Sequence, residues 1–113
     1  MADSLGAFEQ AVLLSIVRLG DEAYGRAILK EVQERLEREV AAGAVHATLE
    51  RLQNKGLISS RLGAGTAIRD GRARRFYKIQ PAGVRALNDA RAAIDSLWHG
   101  LTWPLKGLRY AGA

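Results

Sequence analysis

Between residues 43 and 61 the chain reads GAVHATLERLQNKGLISSR, and its hydrophobic period changes halfway along. Val45, Leu49 and Leu52 recur at i, i+4 and i+7, the spacing of a helix face turned toward a core. Gly56 then supplies a helix C-cap, and residues 57–62 have strand character. The other side of the helix carries Ala44, Ala47, Thr48 and Arg51, with Lys55 at its end. A chain of 113 residues holds enough material for one domain with a modest core. It must bury the Val45 face, leave a strip of small residues and cations in water, and run straight into a strand bearing Arg61.

The flanking segments supply the rest of that core. Residues 5–19, LGAFEQAVLLSIVRL, carry Leu5, Phe8, Val12, Ile16 and Leu19 on one stripe, widened by Leu13, Leu14 and Val17. An apolar arc that broad has a second face to bury, and in a small chain that face can meet another subunit. Gly20 ends this helix. A second helix over residues 24–36 places Ile28, Val32 and Leu36 one turn apart, and residues 38–42 link it to the third. Beyond the first strand, residues 63–73 (GAGTAIRDGRA) hold three glycines and an Asp70-Gly71 turn signal, and alternation resumes over residues 74–79. The two strands form a hairpin with a long basic tip. Pro81 opens a final helix to about Gly100, in which Leu87, Ile94 and Leu101 recur every seven residues beside Val84 and Trp98.

Charge is distributed unevenly over these elements. Residues 1–50 hold five Lys/Arg against nine Asp/Glu, whereas residues 51–78 hold eight against Asp70 alone, in a chain of net charge +5. Such a local excess marks an anionic partner, most often nucleic acid. Without cysteine there is no disulfide, thiol chemistry or thiolate metal site. His46 and His99 have no companion ligand at helical spacing, no serine sits in a nucleophile elbow, and the glycines of 63–71 do not follow phosphate-loop spacing. The expectation is a protein that is not an enzyme and carries no metal or cofactor. The first 20 residues lack the basic lead and cleavage site of a signal peptide, and no segment has the apolar length of a membrane span, so a cytoplasmic location is expected.

Three helices, a two-stranded wing and a long helix together read as mainly α with a small β-hairpin. The expected architecture is a winged helix-turn-helix over residues 1–80, with a C-terminal dimerisation helix and tail over 81–113. In a helix-turn-helix the second helix of the pair enters the major groove of duplex DNA. Ala44 and Ala47 let its backbone approach, His46 and Thr48 can bond phosphates or bases, and Arg51 and Lys55 can reach either. Arg61, Arg69, Arg72, Arg74 and Arg75 belong to the wing and clamp the neighbouring backbone. A winged helix that docks an acidic protein and never binds DNA is the competing reading; the small-residue helix face fits a groove better.

Four segments also carry a resemblance: LGAFEQAVLLSIVRLG at 5–20, AYGRAI at 23–28, GAVHATLERLQNKGLI at 43–58 and RRFYKIQPAG at 74–83. In that order and spacing the sequence resembles the PadR family of bacterial winged-helix transcriptional regulators. The resemblance implies a homodimer on a pseudo-palindromic operator, most often repressing transcription, with the last helix as dimerisation element through Val84, Leu87, Ile94, Trp98 and Leu101. It also implies, for some members, release by a small aromatic or drug-like effector. Trp98 and Phe8 are the candidate walls for one, against a reading of Trp98 and Trp103 as dimer packing. Three positions depart from the family pattern. His46 stands where Tyr is usual, Ala41 replaces the Ser or Thr before the third helix, and Gln80 replaces the Thr before the last, which exchanges two good N-caps for poor ones.

Overall fold

The computed structural model describes residues 4–63 and 74–109. In chain order these form α1 (Ala7–Leu19), a 3-10 turn (Gly20–Glu22), α2 (Gly25–Leu36), α3 (Ala42–Asn54), β1 (Ile58–Leu62), β2 (Arg75–Ile79) and α4 (Pro81–Trp98). Val12, Leu13 and Ile16 of α1, Ile28 and Val32 of α2, and Val45, Leu49 and Leu52 of α3 close around one core with Ile58 and Tyr77. This is a winged helix-turn-helix with an added C-terminal helix. The basic tip between the strands, including Arg69 and Arg72, lies outside the described residues.

Each joint has a local cause. At the end of α3, Gly56 adopts φ +76°, its N–H donates to the Gln53 carbonyl (2.9 Å), and the Leu57 N–H donates to the Leu52 carbonyl (3.0 Å). This pair of reversed bonds ends the helix and aims the chain into β1. α2 ends less predictably, with Glu37 left-handed at φ +53° and the Gln33 side-chain oxygen accepting the Val40 N–H at 3.0 Å. β1 and β2 pair antiparallel, with Ser60 opposite Tyr77 and Arg61 opposite Phe76. Tyr24 adds an antiparallel bridge to Phe76 on the other side of β2, and the Tyr77 N–H donates to the Ala23 carbonyl at 2.8 Å. The wing is thereby tied to the start of α2.

Gly83, near the start of α4, is buried against this joint. A Cβ there would run into the Leu57 carbonyl oxygen and Ile79 Cγ1, so only glycine lets α4 sit this close to the turn between α3 and β1. Both departing caps are unmade: neither Ala41 nor Gln80 makes a side-chain cap bond, and the Gln80 amide instead donates to Ser59 Oγ at 2.7 Å.

The apolar residues of the helices are used unevenly. Leu13 is fully buried, while Leu14 and Val17 are exposed, so the broad arc of α1 is only partly used within the protomer. Leu87 is half-buried against the protomer's own core; the turn of α4 that Gly83 draws in carries it inward. Leu36 of α2 is exposed. On α4, Val84, Ile94 and Leu97 face outward and Trp98 is half-buried; beyond it Leu101, Trp103, Leu105 and Leu108 are all exposed.

Candidate nucleic-acid interface

α3 offers two different faces. Val45, Thr48, Leu49 and Leu52 are buried, while Ala44, His46, Ala47, Glu50 and Arg51 are exposed. Thr48 is thus corrected from the outer face to the inner one, at 2% exposure. It completes the i, i+3, i+4, i+7 stripe begun by Val45, and its hydroxyl oxygen accepts a hydrogen bond from Arg51 Nη2 at 3.2 Å. His46 points outward, 3.9 Å from the Glu50 carboxylate.

Arg51 and Lys55 are not solvated cations in isolation. Both meet Glu9 of α1, a buried carboxylate that no local sequence pattern marks. Lys55 Nζ donates to Glu9 Oε2 at 3.2 Å, and Arg51 Nε lies 3.6 Å from the same oxygen. The other oxygen, Oε1, accepts the Gly6 N–H at 3.0 Å, the reach of a helix-start glutamate back to its own cap. Burial pushes the Glu9 carboxyl up, but the Gly6 N–H, the Lys55 hydrogen bond and the charges of Lys55 and Arg51 outweigh it. The pKa lies below the ordinary 4.5 and the group is ionised at neutral pH.

At the base of the wing the arginines meet aromatic rings. The Arg61 guanidinium carbon lies 5.3 Å from the Phe76 ring centre, and that of Arg74 lies 4.2 Å from the Tyr24 ring centre. Tyr24 and Phe76 are themselves edge to face, with centroids 5.7 Å apart. Arg61, Phe76, Tyr24 and Arg74 therefore form a continuous array of cation–π and aromatic contacts. Arg75 Nη1 donates to Ser60 Oγ at 3.0 Å, and Ser60 Oγ donates to Gln53 Oε1 at 3.0 Å, which links β2 through β1 to the end of α3. The structure thus brings the α3 cations and the described wing arginines onto one linked framework.

The effector walls do not come together in the same way. Phe8 packs on the core. Between α1 and α4 runs an apolar groove lined by Leu14, Val17, Val84 and Leu87, with Gln10 and Arg91 among its polar edges; neither Phe8 nor Trp98 lines it. Among the described residues no three of His, Asp or Glu gather as a metal site, and no helix is long and apolar enough to cross a membrane.

Comparison with known proteins bears on this arrangement. The profile of the Transcriptional regulator PadR-like family matches residues 13–89. Transcriptional regulator Rv3488 of Mycobacterium tuberculosis is 36% identical over 77 residues, spanning 68% of this chain and 67% of that protein. Among solved structures, RosR of H. salinarum superposes with a TM-score of 0.67 at 26% identity, covering 90% of this chain and 84% of that one. A PadR family transcription regulator from Clostridium difficile R20291 superposes with a TM-score of 0.63 at 25% identity, covering 82% of this chain and 96% of the other.

Proposed function

This chain belongs to the PadR-like family of DNA-binding transcriptional regulators, and from that premise we propose that it represses transcription as a homodimer, one α3 in each major groove of a pseudo-palindromic operator. The observation that carries the reading is the outer face of α3. Its Ala44 and Ala47 are small enough for close approach, Arg51 and Lys55 stand at its end, and the stacked arginines of the wing flank it. A helix in the major groove with a basic hairpin on the adjacent backbone needs this order of parts. In this reading residues 1–80 hold the DNA and residues 81–113 hold the partner. The site is cytoplasmic, with the chromosome.

Dimerisation is supported by what α1 and α4 leave uncovered. Leu14, Val17, Val84, Ile94 and Leu97 are exposed on the two helices that flank the apolar groove, and exposed apolar side chains in that number favour burial against a second copy. A small aromatic effector would be held in that groove, with Leu14 and Val84 as walls, and not against Phe8, which the core already uses. Genomic footprinting with the purified protein tests the reading. Discrete sites with two half-sites about one helical turn apart are expected. Binding that is uniform along DNA, or a wild-type monomer in sedimentation at micromolar concentration, would refute it.

A further inference from the structure

Glu9 does something at α3 that helix capping alone does not require. Capping uses Oε1, through the Gly6 N–H. Oε2 is turned across to α3, where it meets Lys55 at 3.2 Å and Arg51 at 3.6 Å. Arg51 is held a second time by the buried Thr48 hydroxyl, 3.2 Å from Nη2, yet its side chain remains 54% exposed. A guanidinium has five N–H groups fixed in one plane. With Nε turned to Glu9 and one Nη2 proton given to Thr48, the remaining Nη1 and Nη2 protons form the outer edge. That is the edge that forks onto two acceptors, as arginine does on guanine.

The second cation has a reason too. A carboxylate facing Arg51 alone would cancel its charge, and with it the attraction to DNA. With Lys55 on the same oxygen, the cluster of one carboxylate and two cations keeps a net charge of +1 while its geometry is fixed. We propose that Glu9 is a specificity-determining positioning residue: from α1 it sets the orientation in which Arg51 reads a base, and Lys55 keeps the cluster positive. This rests on the reading of α3 as the helix that enters the groove.

The test uses a duplex selected from a random pool by the wild-type protein, and a scrambled duplex of equal length. Glu9→Gln keeps an acceptor for Gly6 and removes the charge. Its preference for the selected duplex should fall about tenfold, toward the low end of what one forked base contact supplies. Its affinity for the scrambled duplex should hold or rise, because both cations are released. Thr48→Val, which removes the other acceptor without changing shape, should lower the preference in the same direction. In an Arg51→Ala background Glu9→Gln should have no further effect on preference. If Glu9→Gln leaves the preference unchanged while Arg51→Ala lowers it, the proposal fails and the reading of α3 stands. Affinities that fall in parallel on both duplexes, with a lowered melting temperature, would make Glu9 structural only and overturn the proposal. If Arg51→Ala changes neither affinity, or the wild type selects no sequence, the reading of α3 fails and the proposal falls with it.

Discussion

The cations of α3 and those of the wing base are held by opposite means. Arg51 and Lys55 share the Glu9 carboxylate, whereas Arg61 and Arg74 lie over the rings of Phe76 and Tyr24. A carboxylate fixes position at the cost of one charge. An aromatic face orients a guanidinium and leaves its charge intact. The wing therefore presents undiminished positive charge, suited to phosphates, which carry no sequence information. On α3 charge is given up for geometry, which base reading requires. In the proposed reading the same residue type serves two tasks because its neighbours differ.

Moving both groups at once gives the largest expected effect. Gly83→Ala would force α4 off the Leu57 carbonyl, at the joint between α3 and the wing. Overpacking against backbone costs about 1–3 kcal/mol, measured as a lower midpoint in denaturant with an unchanged slope. A smaller loss concerns the α3 cluster and depends on pH. Glu9 has its pKa lowered in the folded protein, so its contribution to stability is present above the unfolded carboxyl pKa and is lost as pH falls through the folded value. Wild type should exceed Glu9→Gln in stability at pH 7, and the difference should shrink steadily below pH 4.5. Urea melts of both proteins across pH check the point.

Tyr24→Leu acts on the wing alone. It removes the ring under Arg74 and the edge contact to Phe76. About 0.5–1 kcal/mol of affinity should be lost on every duplex alike, read by fluorescence anisotropy on selected and scrambled DNA. The last effect is a gain: Ala41→Ser supplies the missing cap of α3, whose capping residue already has extended geometry (φ −70°, ψ 137°). It should add about 0.5–1 kcal/mol of stability and leave the preference between duplexes untouched, visible as a raised melting temperature.

Much of this frame was legible in the residues, because periodicity marks each helix and the glycine after Lys55 marks the turn. The misread positions share a cause. The Thr48 hydroxyl suggests the outer face, although its spacing from Val45 and Leu52 places it on the buried stripe. Leu87 fits a heptad, and the heptad does not show that part of its side chain packs on the protomer's own core. Glu9 carries no local mark of its role within an apolar helix. Its partners lie more than 40 residues away, Lys55 at a separation of 46, and no local pattern joins them. The Tyr24–Phe76 contact rests on an isolated bridge, too short to leave a period. The requirement for glycine at position 83 likewise exists only once α4 is docked on the Leu57 turn.

The division of labour between α3 and the wing is tested most directly by one salt titration. Wild type, Arg51→Ala and Arg74→Gln are each measured on the selected and the scrambled duplex over a range of salt. Arg51→Ala should lose about 1–3 kcal/mol on the selected duplex and little on the scrambled one. Arg74→Gln should weaken both duplexes equally and lower the slope of log affinity against log salt by about one. Equal losses on both duplexes for Arg51→Ala, or an unchanged slope for Arg74→Gln in a folded protein, would contradict the account.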